Sequence, residues 1–547
     1  MAAQMAMSDL QNAIRLHQKA EYIKAESLYL DLLNVKPDEN IHFFLGLLYS
    51  QIHQYDAAIH HLEIALAWRV NNADLFNALA ISYQKKEKLN TAAILINIAL
   101  QKKPTDKHFL NRQAKIYFQQ GDYIDSIVIA KKCINIHRDF FPAYQSYVKA
   151  LNKINKPRES LRIAKLALRN MGPQNEIKYL LAQCHFNLGN YAQSQNIFRQ
   201  LVSENFNRFE SLNNLGNIAK ELGDYEESLK TYELAKSISK NNYIVDWNIS
   251  LLNLMTGNFS AGLKDYESRL KSNKKRRLLD HIPTWKQESL EDKSILIASE
   301  QGIGDQILFS RNFDNIIDNA KKTFIQCDEQ LQQLFKKTFP KSDVIKSNYI
   351  PKNVSYKIFS GSTMLLNPNL FKPNAHLSHL GHGNYPSSRG INIGLSWRGA
   401  STFREQKKRA THLRDWEKLL SNENFKFHNL QHDITEGEKK LIHRKSLNFN
   451  YGFNQFHDMD SLSQYIKNLD LVISVTNTNV HLSGSMGIPT WCLVPEFPDW
   501  HWGINEEQCR WYSSVTLYRN AESNWQLLIS KIIRDLNTLI SDTKKPN

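Results

Sequence analysis

Cysteine is scarce in this chain, and the few cysteines are widely separated. The 547 residues include five, namely Cys133, Cys184, Cys327, Cys492 and Cys509. Zinc clusters and disulfide frameworks both depend on cysteines at short, paired spacings, which this sequence lacks. The pattern argues against both and favours a reduced, cytoplasmic setting.

Long apolar runs are also missing. No stretch of the sequence approaches the roughly 20 apolar residues that a membrane-spanning helix needs. Residues 1–11 contain no basic segment followed by an apolar core, which a secretion signal would show. We therefore expect a soluble protein with no transmembrane segment.

Acidic residues are outnumbered by basic ones. The chain has 69 Lys and Arg against 54 Asp and Glu, a formal net charge of +15. An excess of this sign suits an acidic partner such as a phosphorylated ligand. Because most of the basic residues are scattered rather than clustered, we do not expect nucleic acid as the partner.

The first half of the chain has a repeating pattern. Units of 34 residues begin near residues 6, 39, 73, 107, 141, 175, 209 and 243. The seventeenth residue of each unit is mostly aromatic: Tyr22, Tyr55, Leu89, Tyr123, Pro157, Tyr191, Tyr225 and Phe259. The eighth is mostly small: Ala13, Gly46, Ala80, Ala114, Val148, Ala182, Gly216 and Ser250. The twentieth is always small: Ala25, Ala58, Ala92, Ser126, Ser160, Ser194, Ser228 and Gly262. Small residues in register predict two closely packed helices per unit.

This spacing resembles the tetratricopeptide repeat (TPR), and the Gly-Asp-Tyr segments at 121–123 and 223–225 match its helix–turn–helix corner. The resemblance implies an α-solenoid over residues 1–270 with about eight repeats, whose concave face holds a protein or peptide. The repeats could instead be a spacer or an oligomerisation arm. The fifth and eighth units fit least well, because Pro157 replaces an aromatic residue and Arg269 occupies an inward position.

After a basic linker at 271–292, strands alternate with helices, which predicts parallel sheets covered on both faces. The predicted strands are 294–299, 323–327, 356–359, 391–397, 425–430, 469–475, 490–494 and 515–518. A Pro- and Gly-containing stretch divides the region into two Rossmann-like halves, 293–390 and 391–547, and the second closes with a C-terminal helix from Trp525. Two such halves would form a cleft between the carboxyl ends of their strands.

In the first half, the opening strand runs into Gly302-Ile-Gly304-Asp305. The glycines allow a sharp turn near a ligand, and they place Asp305 at the start of a helix. A carboxylate there could act as a general base, or it could simply cap the helix. The third glycine of a dinucleotide fingerprint is missing, which argues against a nicotinamide enzyme.

In the second half, Ser396 lies near the end of a predicted strand and Arg398 directly after it; a loop with four cations in six residues follows, including Lys408 and Arg409. Hydroxyl and cationic groups after a strand suit a phosphate or diphosphate. The alternative is a flexible, solvated loop.

A second anion-friendly turn follows the strand at 469–475. Thr476, Asn477, Thr478 and Asn479 lead into a helix that carries His481. The free N–H groups of a helix start, with Thr and Asn side chains beside them, can bind a phosphate. The alternative is an ordinary turn in which Thr478 or Asn479 only caps the helix.

Taken together, residues 285–519 resemble the GT-B glycosyltransferases of the heptosyltransferase type, in the version fused to TPR repeats. The turn at 300–305 is similar to that family's first-strand motif, 393–399 to its second-domain strand, and 469–489 to its nucleotide-diphosphate loop. The segments 500–502 and 511–515 resemble the tryptophan-rich close of TPR-fused members. The family commonly has an aspartate directly after the nucleotide-loop strand, where this chain has Thr476.

The resemblance implies a GT-B glycosyltransferase with Asp305 as catalytic base. Gly302, Gly304, Ser396, Arg398, Lys408, Arg409, Thr476, Asn477, Thr478, Asn479 and His481 are the implied donor-binding residues. No Asp-x-Asp signature appears in the predicted cleft, so we expect neither a metal nor a bound cofactor; the nucleotide sugar is a cosubstrate.

The TPR-fused architecture also resembles the O-linked N-acetylglucosamine transferases and the flagellin glycosyltransferases that use activated nonulosonic acids. This resemblance implies a Ser/Thr hydroxyl as the acceptor, flagellin as the expected protein and a CMP-activated nonulosonic acid as one expected donor. A transferase for lipopolysaccharide or lipid-linked sugars, and a non-catalytic TPR scaffold, are the alternatives. A homo-oligomer is also compatible with the repeats.

Overall fold

The computed structural model describes residues 2–35, 37–239, 242–272, 278–366, 391–399, 402–445, 447, 449–450 and 458–543. The chain divides into two compact units, residues 1–201 and 202–547. The first unit contains repeats one to six, and the second contains the last two repeats together with the parallel sheets. The boundaries predicted at 270, 292 and 390 follow sequence periodicity rather than packing, so they stay predictions; residues 367–390 lie outside the described residues.

Each 34-residue unit forms a pair of helices, as predicted. The pairs are Ala2–Gln18 with Tyr22–Val35, Glu39–Gln51 with Tyr55–Ala67, Ala73–Lys85 with Leu89–Lys102, Lys107–Gln120 with Tyr123–Ile136, Phe141–Lys153 with Pro157–Met171, Asn175–Asn187 with Tyr191–Ser203, Arg208–Glu221 with Tyr225–Ile238, and Tyr243–Thr256 with Phe259–Tyr266. In every unit the second helix begins at the seventeenth residue.

The two columns of small residues meet at the crossing of paired helices. Ser126 Oγ donates to the carbonyl of Ala114, and Ser228 Oγ donates to that of Gly216, each over 2.8 Å. A β carbon added to Gly216 would lie 2.5 Å from the ring of Tyr232. Larger residues at these positions would separate the helices, which explains the residue types found there.

The rest of the second unit is built on two all-parallel sheets. The first has the order β3-β2-β1-β4, with β1 Ser294–Ala298, β2 Lys322–Cys327, β3 Asp343–Lys346 and β4 Tyr356–Phe359. The second has the order β10-β9-β8-β5-β6-β7, with β5 Ile391–Ser396, β6 Phe425–Asn429, β7 Phe449–Asn450, β8 Leu471–Val475, β9 Thr490–Val494 and β10 Val515–Arg519.

Helices precede, connect and follow these strands. The α-helices are Ile303–Ser310, Phe313–Asn319, Gln332–Thr338, Phe403–Arg409, Glu417–Leu420, Glu436–Arg444, Met459–Ile466, Thr478–Ser485 and Trp525–Thr543. The 3-10 helices are Glu267–Ser272, Glu329–Leu331, Ser360–Leu366 and Leu413–Trp416. None of the helices in the described part of the chain is both long enough and apolar enough to cross a membrane.

All eight predicted strands are present, and the structure adds β3 and β7. Both additions lie at sheet edges and are short, with four and two residues. Backbone pairing with β2 and β6 makes them strands, whereas their sequences lack a clear periodicity. The α/β character predicted for the C-terminal region is confirmed.

A buried ion pair joins the last repeat to the first sheet. Arg269 Nε and Nη2 donate to the two carboxylate oxygens of Glu300 over 3.0 and 2.5 Å, and the side chains are 5% and 2% exposed. Glu300 also accepts from the backbone N–H of Gly361 at 2.9 Å. Arg269 departs from the repeat pattern because it pairs with the loop that follows β1.

Replacing Arg269 with alanine should destabilise the second unit by about 3–5 kcal/mol, because the carboxylate of Glu300 would be left buried and unpaired. Urea unfolding followed by tryptophan fluorescence measures this, since Trp68 is the sole tryptophan before residue 202. The matched control is Lys341→Ala, which removes an ion pair 75% and 58% exposed, and should cost less than about 1 kcal/mol. Equal effects of the two variants would contradict the prediction.

Candidate functional site

The second sheet reverses its strand order between β8 and β5. In an open parallel sheet, ligands bind outside the carboxyl ends of the strands at such a switch point. The turn at 476–479 follows β8, and Ser396 ends β5. The structure therefore brings two of the predicted anion-binding segments to one place on this sheet.

A hydrogen-bond network holds these two strand ends together. Asn477 Nδ2 donates to Ser396 Oγ at 2.9 Å, and Ser396 Oγ donates to Gln431 Oε1 at 3.4 Å. Gln431 Oε1 also accepts from the backbone N–H groups of Trp397 and Arg398, at 3.1 and 2.9 Å. Ser396 is 1% exposed, so its hydroxyl serves the architecture of the turn.

Asn477, rather than Thr478 or Asn479, caps the helix Thr478–Ser485. Its Oδ1 accepts from the N–H of Asn479 at 2.9 Å. Asn479 is 7% exposed and donates from Nδ2 to the carbonyl of Leu430 at 2.9 Å, which ties the helix to the end of β6. Thr476 is 2% exposed. Thr478 Oγ1 has no hydrogen-bond partner among the described residues, so it is the side chain of this turn that stays available.

Two of the predicted phosphate-binding cations are used elsewhere. Arg398 binds Glu438 through Nη1 and Nη2 and binds Asp433 through Nε at 3.2 Å. Lys408 Nζ lies 3.0 Å from the Glu221 carboxylate, which is 6% exposed and belongs to the seventh repeat. Each cation therefore already has a largely buried carboxylate partner, Glu438 for Arg398 and Glu221 for Lys408.

Arg409 faces the switch point. A β carbon added to Gly399 would lie 3.7 Å from Arg409 Nε, 3.7 Å from Asn477 Cβ and 3.8 Å from the carbonyl oxygen of Thr476. Arg409 Nη1 is 3.8 Å from Asp499 Oδ2, and Nε is buried with no hydrogen-bond partner within the described part of the chain. A buried donor without an acceptor is costly unless a ligand supplies one.

Asp305 lies on the opposite wall, three residues into the helix Ile303–Ser310. Gly302 is the N-cap residue, and its backbone N–H donates to Asp305 Oδ2 at 3.2 Å. A β carbon on Gly304 would lie 3.0 Å from His481 Cδ2 and 3.6 Å from Thr478 Oγ1, so the two helix starts are in contact. Gln301, just before, has a φ of 60°, a strained backbone for a non-glycine residue.

The other oxygen of Asp305 is bound by a residue that sequence reasoning did not single out. His501 Nε2 lies 2.9 Å from Asp305 Oδ1, and His501 Nδ1 lies 2.9 Å from Asp499 Oδ1. With Arg409 beside Asp499, the order is Asp305, His501, Asp499, Arg409. Apart from the family resemblance, residues 500–502 carry no sequence signal for a site, and no spacing in the sequence pairs His501 with a residue 196 positions earlier.

The charges in this row of side chains fix the protonation state of His501 and of the two carboxylates beside it. Burial alone would lower the pKa of His501, but the charge of Asp499 and the hydrogen bonds to both carboxylates raise it to about 9. Burial alone would raise the pKa of Asp305, yet the hydrogen bond and charge of His501 outweigh it and lower that pKa. The pKa of Asp499 is lowered as well, against burial, mainly by the charge of His501. His501 is thus an imidazolium held between the carboxylates of Asp305 and Asp499.

His481 differs from its neighbour. It is 6% exposed, its Nδ1 lies 3.1 Å from the hydroxyl of Tyr512, and its ring packs against those of Trp502 and His501. Burial, and then the charge of His501, lower its pKa to about 4, so the ring is neutral near pH 7. A hydrogen bond from His481 to a nucleotide sugar would therefore be an ordinary one rather than a charge-assisted one.

The described residues assemble no group of three or more side chains arranged to hold a metal ion. An Asp-x-Asp spacing does occur at Asp458 and Asp460, and both carboxylates have other roles. Asp458 caps the helix Met459–Ile466, and Asp460 pairs with Lys337 at 2.5 Å. All five cysteines are free and buried.

Comparison with known proteins confirms the repeats. A family model for the tetratricopeptide repeat matches residues 176–208 and 209–242, which are the sixth and seventh units, so the chain contains TPR repeats. Repeats of this kind bind protein partners.

One curated relative is Protein FlbA of Caulobacter vibrioides, which is 23% identical over 416 residues, 68% of this chain and 68% of that protein. Among solved structures, a tetratricopeptide repeat protein from Parabacteroides merdae gives a TM-score of 0.40 at 16% identity, over 46% of this chain and 99% of its own. PilW, described as a widely conserved type IV pilus biogenesis factor, gives 0.34 at 16% identity, over 37% and 93%.

The raised pKa of His501 makes stability depend on pH. A group at 6.5 when unfolded and about 9 when folded adds stability that is complete below pH 6.5 and is lost as pH rises through 9. The unfolding free energy of the second unit should therefore fall over this range. Urea titrations at several pH values measure it, and His501→Gln should remove most of the slope. A His501 resonance that titrates below pH 7 by NMR would contradict the assignment.

Proposed function

We propose that this protein is a glycosyltransferase that moves a sugar from a nucleotide donor to a hydroxyl of an acceptor protein, with the TPR repeats binding that acceptor. The observation that carries the proposal is the juxtaposition of Arg409 and the start of the helix Thr478–Ser485, on the second sheet, with Asp305 on the first. An anion-binding wall opposite a carboxylate is what sugar transfer from a phosphate requires.

The donor phosphate would lie at the switch point. Arg409 Nε lacks a partner among the described residues, Thr478 offers a hydroxyl, and the helix start adds partial positive charge. Gly399 lies between these groups, since a β carbon at that position would be 3.7 Å from both Arg409 Nε and Asn477 Cβ. These groups would stabilise the negative charge that grows on the leaving phosphate.

In the transfer step, the acceptor hydroxyl oxygen forms a bond to the anomeric carbon as the bond from that carbon to the phosphate oxygen breaks. The nucleoside phosphate leaves with the electron pair, and the hydroxyl proton passes to the carboxylate of Asp305. Because His501 lowers the pKa of Asp305, this carboxylate is ionised near neutral pH but is a weak base. Asp305 would then contribute to transfer mostly by being placed to accept the proton, and less by its strength as a base.

The two-sheet region is proposed to be a GT-B domain, as the sequence resemblance implies, and flagellin is the acceptor we expect from the same resemblance. A CMP-activated nonulosonic acid is the donor to test first. Thermal-shift screening of the full chain with CMP-, UDP- and GDP-sugars tests the proposal most directly, because a stabilising donor identifies both nucleotide and sugar.

One observation favours a second candidate, a non-catalytic TPR scaffold. Both oxygens of Asp305 already have partners, the N–H of Gly302 and the ring of His501. A carboxylate so engaged is well explained as a structural link between the two sheets. In that case no nucleotide sugar would stabilise the protein, while its protein partners would still bind the repeats.

Asp305→Asn tests whether Asp305 acts as the base or only as a structural link. The amide keeps the size of the side chain and part of its capping role, so donor binding should persist while transfer falls by roughly 100-fold or more. Release of nucleoside phosphate in the presence of flagellin measures it. The control is Asp328→Asn, which alters an aspartate that accepts from Gln330 N–H at 3.0 Å and lies at another helix start. Near-normal turnover of Asp305→Asn would leave Asp305 a structural residue.

Arg409→Ala tests the phosphate site. Loss of one hydrogen bond to a charged group is worth roughly 1.5–3 kcal/mol, so donor affinity should fall by about 10- to 150-fold in calorimetry. Arg398→Ala is the matched control, because its guanidinium is occupied by Glu438 and Asp433; it should lower stability and leave affinity nearly unchanged. A larger loss of donor affinity in Arg398→Ala than in Arg409→Ala would refute the phosphate site.

A further inference from the structure

The first unit contains a cavity of about 340 Å³ within the repeats. It is lined by the first helices of the third, fourth and fifth repeats, Ala73–Lys85, Lys107–Gln120 and Phe141–Lys153. In a repeat solenoid these helices form the surface used for binding. Four of the lining side chains are cationic, namely Lys85, Arg112, Lys115 and Lys149.

Carboxylates are missing from this wall. Among the described residues that line the cavity there is no Asp or Glu. The helices Lys107–Gln120 and Phe141–Lys153 contain no acidic residue at all, and in Ala73–Lys85 the sole one, Asp74, pairs with Lys103 at 2.9 Å. The positive charge of the cavity is therefore not neutralised by its own walls.

The four cations also lack ionic partners elsewhere. Lys85, Lys115 and Lys149 form no ion pair with any described residue, and Arg112 Nη1 donates to the neutral amide oxygen of Gln84 at 3.1 Å. The pKa of Lys115 is lowered by burial and then by the charges of Arg112, Lys149 and Lys85. Lys86, the residue after Lys85, shows the contrast, since it pairs with Asp56 at 2.9 Å.

We infer that this cavity binds an acidic segment of a partner protein. Its carboxylates would pair with Lys115, Lys149 and Arg112, and an apolar side chain of the segment would pack on Phe118, which also lines the cavity. Gln84 holds Arg112 in place at the cavity, since its Oε1 accepts from Arg112 Nη1 at 3.1 Å and its Nε2 donates to Gln119 Oε1 at 2.7 Å.

A nucleic-acid strand fits this cavity less well. Strand binding uses a long basic groove with several aromatic surfaces on which successive bases stack. Here the cationic wall spans three repeats and Phe118 is the one aromatic ring among its described lining residues. The inference rests on the protein-binding role of the repeats and does not depend on sugar transfer.

The test uses the full chain and a fluorescein-labelled peptide in which Glu and Asp alternate with Leu and Phe. Fluorescence anisotropy should show saturable binding that weakens as salt rises. The same peptide with Gln and Asn in place of the acids should bind at least about tenfold more weakly, because interfacial charge pairs supply the affinity.

The decisive variant is Lys115→Glu combined with Lys149→Glu, which should weaken acidic-peptide binding by at least about tenfold. Its control is Lys131→Glu combined with Lys132→Glu, the same charge change at exposed positions on the second helix of the fourth repeat, and it should leave affinity nearly unchanged. Circular dichroism checks that both variants keep their helices.

Three results would overturn the inference. If the acidic peptide does not bind, the cavity is not a site for acidic segments. If both double variants weaken peptide binding equally, the binding reflects the net charge of the protein and not the cavity. A single-stranded oligonucleotide that binds tighter than the peptide and displaces it would assign the cavity to nucleic acid. Since the assay contains no nucleotide sugar, failure of the transfer proposal would leave the binding result unaffected.

Discussion

Charges buried in the second unit have to be paired, and this requirement determines which polar side chains remain available to a ligand. Arg269 is paired with Glu300, Arg398 with Glu438, and Lys408 with Glu221. Each pair fixes a loop at a strand end, so these cations build the site rather than line it. Arg409 differs because its Nε is buried without an acceptor among the described residues. A cation-rich loop in a sequence thus overstates the number of groups that can hold a phosphate.

The repeats and most strands could be predicted because their signals are local. A helix pair needs only its own 34 residues to show small and aromatic positions in register, and the second helices start at the mostly aromatic column that runs from Tyr22 to Phe259. The edge strands β3 and β7 could not be predicted in this way. Their four and two residues become strands through pairing with neighbours, which no window of sequence contains.

The segments that form the candidate site could be predicted, but the hydrogen bonds between their side chains could not. The turn at 476–479 was visible as a strand, a polar loop and a helix, yet its cap is Asn477 and its Asn479 is tied to the carbonyl of Leu430. The contact between Asp305 and His501 joins residues 196 positions apart, in segments attached to different sheets. Such a pairing follows from the packing of two sheets, and single-sequence spacing carries no trace of it.

For the proposed sugar transfer, the row of charges from Asp305 to Arg409 has opposite effects on phosphate binding and on proton removal from the acceptor. A phosphate brought near two carboxylates would be repelled, unless cations lay between and beside them; the imidazolium of His501 and the guanidinium of Arg409 are placed to screen that repulsion. The same imidazolium lowers the pKa of Asp305 and makes it a weaker base. Removing it should raise the pKa of Asp305, which burial already favours, and should move the acid limb of any pH–rate profile upward. Donor affinity should fall in the same variant, so His501→Gln would separate charge screening from basicity in one measurement of kcat and KM against pH.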